Sequence, residues 1–222
     1  MNCNSTSDDE GRLVQITAGT ATVAGDLVVP ARADGIVLFA HGSGSSRFSP
    51  RNCYVAQALR QAGLATLLMD LLTPEEERVD LRTAEHRFDI PLLARRLAAC
   101  VDWLTQQVET KDLAIGLFGA STGAAAALMA AADRASAVRA VVSRGGRPDL
   151  AAATLPRVQA ATLLIVGGND YPVIGLNRQV LAQITSEKRL EIIPGAGHLF
   201  EEPGALEMVA QLAGQWFRRF LP

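Results

Sequence analysis

Residues 113–132 read LAIGLFGASTGAAAALMAAA, and the change of character halfway along this stretch decides the fold. Leu113 to Phe118 is an apolar run of strand length, whereas the alanines that follow, with Leu128 and Met129, are strong helix formers. Between them, Gly119-Ala120-Ser121-Thr122-Gly123 fits G-x-S-x-G. A strand that enters a helix through this pentapeptide puts the central serine on a sharp, strained turn. A side chain two residues to either side would collide with that turn. The turn lifts the Ser121 hydroxyl clear of the sheet, and the helix begins with its amides directed at the site. Ser121 is therefore the candidate nucleophile; the plainer alternative is a helix N-cap.

Working outward, the chain alternates apolar runs with helical patterns. Gly35 to Ala40 (GIVLFA), Leu64 to Met69 (LATLLM), Val138 to Ser143 (VRAVVS) and Ala161 to Val166 (ATLLIV) have the continuous hydrophobicity of strands buried on both faces. Arg189 to Ile193 is the last strand. Helical spacing covers Pro50 to Ala62, Ile90 to Val108, Val173 to Ile184 and Ala205 to Leu221. In the second of these, Leu93, Leu97, Val101 and Leu104 form one side, with Arg95, Arg96 and Gln106 on the other. Arg12 to Thr17 and Ala21 to Val29 predict a solvated edge hairpin. Leu71 to Glu85, which contains Pro74-Glu75-Glu76-Glu77, predicts an excursion over the sheet rim with a solvated acidic face. Strands alternating with helices imply a mostly parallel twisted sheet covered on both faces.

Such sheets carry their chemistry at the carboxyl ends of the strands. His41, Ser121, Arg144, Asp170 and His198 all fall there. A serine hydroxyl needs a neighbouring base to take its proton as it attacks. His198 is the candidate base, because imidazole titrates near neutrality and can return the proton to the leaving group. Asp170 would orient that imidazole, with Asp149 as the alternative acid. Glu201 and Glu202 fit better as first-turn acids of the closing helix, and His86 lies in a polar stretch. A tetrahedral oxyanion needs two amide donors. These are the N–H of Thr122 and one from His41-Gly42-Ser43-Gly44, Ser43 being preferred to Gly44. His41 and Gly42 border the substrate, with His41 bracing the loop.

The chain has 222 residues, 49% of them hydrophobic, and a formal charge of −2, which provides a sizeable core and argues against nucleic acid as a partner. One domain is expected over residues 12–222, after a flexible N-terminus at 1–11. Cys3, Cys53 and Cys100 are scattered and odd in number, which fits a reducing compartment better than a disulfide framework. The opening MNCNSTSDDEGRL has neither a basic nor an apolar leader region, and no apolar run approaches a membrane span of about 20 residues. The expectation is a cytoplasmic protein, monomer or homodimer, that meets neither membrane nor nucleic acid. The sequence shows no metal-ligand spacing and no phosphate-binding glycine motif, so neither metal nor organic cofactor is expected.

HGSG at 41–44, GASTG at 119–123, GGNDYPV at 167–173 and GAGHLFEEPG at 195–204 together resemble the α/β-hydrolase superfamily from about Gly25 onward. Within it the chain is most similar to the dienelactone-hydrolase-like branch. The segment between Asp149 and Ala161 has room for one short helix only, so no large cap domain is expected. The resemblance implies a small esterase with an open site. True dienelactone hydrolases carry cysteine at the elbow where this chain has Ser121, which points away from dienelactone and toward a general serine carboxylesterase. Arg47 or Arg144 could recognise an anionic substrate group, since guanidinium matches carboxylate in a bidentate manner. The alternative for these arginines, and for Arg147, is pairing with Glu75–Glu77 and Asp80 or facing solvent.

The expected function is hydrolysis of small carboxylic esters through an acyl-enzyme. Alternatives are a thioesterase, an acyltransferase or a small-amide hydrolase, or a non-catalytic binding protein on the same fold.

Overall fold

A computed structural model describes residues 11–222. The N-terminal segment expected to be flexible lies outside the described residues, apart from Gly11. The strands are β1 (Arg12–Ala18), β2 (Ala21–Val28), β3 (Gly35–Ala40), β4 (Ala65–Met69), β5 (Ala114–Ala120), β6 (Val138–Arg144), β7 (Ala161–Gly167) and β8 (Lys188–Ile193). The helices are α1 (Pro50–Gln61), α2 (Pro74–Thr83), α3 (Ile90–Leu104), α4 (Thr122–Asp133), α5 (Tyr171–Leu181) and α6 (Ala205–Phe220), with a kinked 3-10 segment at Pro148–Arg157.

The strands form one eight-stranded sheet in the order β1-β2-β4-β3-β5-β6-β7-β8. Pairing is antiparallel between β1 and β2 and between β2 and β4, and parallel from β4 to β8. The hairpin is thus only half an edge: β1 is terminal, while β2 hydrogen-bonds on both sides and buries Val23 and Leu27. β3, β4 and β7 are buried at every residue, as strands sandwiched between helix layers must be.

Side-chain alternation in the strands feeds two cores. On one face Ile36, Leu38, Leu67 and Leu117 pack with Leu93, Leu97 and Val101 of α3 and with the α4 alanines. On the other, Val37, Phe39, Phe118 and Ile165 meet Val55 and Leu59 of α1 and Val209, Trp216 and Phe217 of α6. Ala124 to Ala127, Ala130 and Ala131 are wholly buried, so the alanine run lets α4 pack tightly on the sheet beside α3 and the 3-10 segment.

The excursion after β4 is more ordered than its polarity suggests. Thr73 caps α2 in a reciprocal box with Glu76: the Glu76 N–H donates to Thr73 Oγ1 at 3.2 Å, and the Thr73 N–H to Glu76 Oε2 at 2.8 Å. Nor is its acidic face uniformly solvated. Glu76 pairs with Arg96, which is itself buried rather than on a solvent side of α3 and also donates to the Leu71 carbonyl at 2.7 Å. Asp80 is buried as well and accepts from the His86 N–H and the Arg87 N–H and guanidinium. Helix α3 stops at Leu104, and Val108 lies exposed beyond it.

Candidate active site

Ser121 joins β5 to α4 with φ +50° and ψ −121°, a conformation that costs a non-glycine residue about 1–3 kcal/mol. Three backbone hydrogen bonds hold it there. The Ser121 N–H donates to the Arg144 carbonyl at 3.2 Å, and the Ser121 carbonyl accepts from the Ala124 and Arg147 N–H groups, each at 3.1 Å. The flanking glycines are sterically required. A Cβ at Gly119 would lie 2.4 Å from the Ala124 Cα, and one at Gly123 would lie 2.4 Å from the Ala40 and His41 carbonyl oxygens. The Ser121 side chain makes no cap hydrogen bond to α4, so the hydroxyl is not acting as an N-cap.

Asp170 stands at the head of α5, immediately after β7, and His198 lies in the loop after β8. His198 Nδ1 is 2.6 Å from Asp170 Oδ2, with Asp170 largely shielded and His198 partly open. Donation from Nδ1–H to the carboxylate leaves Nε2 as the ring nitrogen free for chemistry. The loop is braced from below: the Gly197 N–H donates to Glu202 Oε1 at 2.9 Å, and Phe200 is buried at a positive φ of 56°. Glu202 therefore precedes α6 and serves the histidine loop instead of the helix's first turn. The alternative acid Asp149 is held by Arg147 through two hydrogen bonds, at 2.9 and 2.8 Å. Ser121, His198 and Arg144 line one cleft of about 260 Å³, together with Gly42, Ser43 and Arg51.

Among the described residues neither the Ser43 nor the Thr122 N–H has a hydrogen-bond partner. Thr122 opens α4, where backbone donors are unpaired and the helix dipole favours negative charge. The Ser43 loop runs close to Ser121, since a Cβ on Gly42 would come within 3.2 Å of the Ser121 Cβ. A smaller recess of about 50 Å³ adjoins this side, bordered by Thr122, Ser43, Leu71, Leu81 and Leu93.

Two expected substrate contacts are spent within the protein. His41 is buried and uses both nitrogens: Nδ1–H donates to the Gly42 carbonyl at 2.9 Å, and Nε2 accepts from the Leu71 N–H at 3.1 Å. Burial pushes its pKa below the usual histidine range, which keeps the ring neutral. His41 is thus a brace for the loop and not a substrate ligand. Arg47 is committed to Asp70 and Asp26, so it ties the loop to β2 and β4 instead of facing a ligand. Arg144 differs from both. It is buried in the cleft wall, it has no hydrogen-bond or ion-pair partner among the described residues, and its Nε is orphaned. Burial first, and the Arg51 charge second, lower its pKa to about 10. Arg51 was expected in the helix over Pro50 to Ala62 with no role of its own; its place beside Arg144 is purely tertiary. No cluster of three metal-ligating side chains occurs among the described residues.

A mostly parallel eight-stranded sheet flanked by helices, with a serine elbow after β5 and an Asp–His pair after β7 and β8, defines an α/β-hydrolase. The model of the dienelactone hydrolase family matches residues 23–221, and the chain belongs to that family. A crystal structure of dienelactone hydrolase from Anabaena variabilis is 61% identical, covers 97% of this chain and 100% of its own, and superposes with a TM-score of 0.95. An esterase from Pyrococcus furiosus shares the fold at 17% identity, with a TM-score of 0.74 over 96% of this chain and 94% of its own. A Mycobacterium tuberculosis protein provisionally named a phosphoribosyl transferase is 59% identical over 204 residues. Those residues are 92% of this chain but 45% of that protein, so the chain spans about half the length of the curated relative.

Proposed function

We propose that this chain hydrolyses small carboxylic esters through a serine acyl-enzyme. Ser121 is the nucleophile, His198 the general base and then acid, Asp170 its orienting carboxylate, and the Ser43 and Thr122 amides are the oxyanion donors. The observation that carries this reading is the pairing of a serine held at φ +50° with an imidazole fixed 2.6 Å from a carboxylate, both facing one cleft.

In the forward step Ser121 Oγ bonds to the acyl carbon while its proton passes to His198 Nε2. The carbonyl oxygen becomes an oxyanion facing the two amides. His198 then protonates the leaving oxygen as the C–O bond breaks, and the Asp170 charge stabilises the imidazolium in between. Water repeats the sequence on the acyl-enzyme. The transferase name of the longer relative belongs to a protein of which this chain spans 45%, and the chemistry proposed here rests on this chain's own cleft.

The test is mass spectrometry after fluorophosphonate treatment, comparing wild type with Ser121→Ala, followed by turnover of p-nitrophenyl acetate. A single adduct on Ser121, absent in the variant, with matching ester turnover supports the reading. A folded protein that gives neither adduct nor turnover returns the chain to the binding-protein alternative.

A further inference from the structure

Ser121 and the Asp170–His198 pair are seated by different parts of the sheet. The pair belongs to the loops after β7 and β8, and hydrogen bonds tie these loops to each other. The Gly168 N–H donates to the Ile193 carbonyl at 2.7 Å and the Asn169 N–H to the Ala196 carbonyl at 2.9 Å. Asn169 Nδ2 donates to the Gly195 carbonyl at 2.8 Å. Asp170 and His198 therefore form one block, whereas Ser121 belongs to a second, made of β5 and α4. Strand β6 stands between β5 and β7 in the sheet, so the loop that follows it lies between the two blocks.

That loop, Arg144-Gly145-Gly146-Arg147, bears on both of them. On one side, the Arg144 carbonyl accepts from the Ser121 N–H at 3.2 Å, and the Arg147 N–H donates to the Ser121 carbonyl at 3.1 Å. A Cβ on Gly146 would lie 2.6 Å from the Ala124 Cβ, so this residue also rests on the first turn of α4. On the other side, Gly145 takes a left-handed φ of +51° and runs against the histidine loop. A Cβ there would lie 3.1 Å from the His198 carbonyl oxygen and 3.5 Å from His198 Cε1, the ring carbon between the two nitrogens. The Gly146 carbonyl accepts from Asn177 Nδ2 at 3.1 Å, and Asn177 lies on α5, the helix that Asp170 immediately precedes. Asn177 is wholly buried. Its Nδ2 also donates to the Val173 carbonyl at 2.8 Å, while its Oδ1 has no partner among the described residues. What this amide contributes is its donors, one of which ties α5 to the β6 loop.

We propose that the loop 144–147 sets the distance between Ser121 and His198, with Gly145 and Asn177 as positioning residues that act through it. The assignment deepens the esterase reading and rests on it, because it concerns proton transfer from Ser121 Oγ to His198 Nε2. That transfer needs a separation of about 2.6–3.2 Å, and a misplacement of about 1 Å costs on the order of 10²-fold in rate. Filling the space at Gly145, or releasing Gly146 from α5, moves one block against the other and leaves each intact within itself.

Two variants test the proposal. Gly145→Ala presses on the His198 carbonyl and ring; Asn177→Leu keeps the size of the side chain and removes both donors. Each should lower kcat for p-nitrophenyl acetate by about 10–100-fold, counted per site that fluorophosphonate finally labels. The ratio kcat/KM should fall in step, as it does when an interaction made in the transition state is lost. The downfield proton NMR signal of the His198 Nδ1–H that faces Asp170 should persist, because the pair stays whole. A merely loosened fold would lose that signal and the labelled sites together. Asn177→Ser can still bond back to the Val173 carbonyl but is too short for Gly146, so it should behave as Asn177→Leu does. If Gly145→Ala does not fold, the two Asn177 variants carry the test. Wild-type kcat per site in any folded variant, or loss of the Nδ1–H signal along with kcat, would overturn the proposal. Failure of the esterase reading is seen separately, as a wild type that gives neither adduct nor turnover. The placement is then judged by NMR alone: Gly145→Ala must move the His198 Cε1–H resonance, and an unmoved resonance overturns it.

Discussion

The Ser121 amide donates to the Arg144 carbonyl at 3.2 Å, so the last residue of β6 supports the elbow with its backbone while its side chain enters the cleft beside it. Residue 144 therefore serves two ends at once. Its peptide helps to hold a strained φ, and its guanidinium lines the cleft that Ser121 and His198 share. Side-chain substitutions there should leave the elbow's backbone hydrogen bond intact.

Asp170 and Asp149 compete for the same role on paper, and the geometry separates them. Asp170→Asn should lower kcat for p-nitrophenyl acetate by about 10⁴-fold, the loss typical of an orienting aspartate, with the circular dichroism unchanged. Asp149→Asn, which only releases Arg147, should leave kcat near wild type. Equal losses in the two variants would reverse the assignment.

His41 makes stability depend on pH. Its folded-state pKa lies below the unfolded value, so the unfolded chain binds the extra proton first as the pH falls. Its contribution is complete above about pH 6.5 and is lost as the pH falls from there toward the folded pKa, by at most about 1.4 kcal/mol per pH unit. Urea unfolding at pH 7.5 and 5.5 should show this loss in wild type. A His41→Gln protein should show a smaller difference between the two pH values.

The glycines around the nucleophile should respond very differently to alanine. A Cβ on Gly123 meets two carbonyl oxygens at 2.4 Å, and neither can move without disturbing β3. Gly123→Ala should cost more than about 4 kcal/mol and fail to give soluble protein. In Gly42→Ala the new methyl meets the Ser121 Cβ at 3.2 Å, a contact that small shifts can absorb. That protein should fold, with kcat down by about 10²-fold from a displaced nucleophile.

Arg96 and Glu76 anchor α2 against the body of the fold. The Arg96 hydrogen bond holds the Glu76 carboxyl below the usual carboxylate range. The pair's contribution is therefore present above about pH 4.5 and is lost as the pH falls through the folded pKa. Glu76→Ala strands a buried guanidinium and should cost about 3–5 kcal/mol, most of which the double variant Glu76→Ala/Arg96→Met should recover. Hydrogen exchange should show α2 loosened in the single variant.

What the sequence by itself determined is whatever follows from local pattern. Continuous apolar runs marked the buried parallel strands, alanine after G-x-S-x-G marked the elbow, and the strand ends carried Ser121, Asp170 and His198 in order. Boundaries slipped where packing rather than propensity ends an element, as at Leu104. Only the tertiary structure decided the charges. Arg96 lies on the polar side of its helical wheel yet is buried, because α2 folds over it and Glu76 meets it there; the Thr73-x-x-Glu76 box, Pro74 at its start and the acidic first turn were local signs of that helix. Arg47, Arg144 and Arg147 look alike along the chain. Asp70 and Asp26 hold the first and Asp149 holds the third, so that of the three only Arg144 is left without an acidic partner, in the wall of the cleft that Ser121 lines. A charged side chain's role depends on which opposite charge the fold brings within a few ångströms, and no sequence spacing encodes that distance.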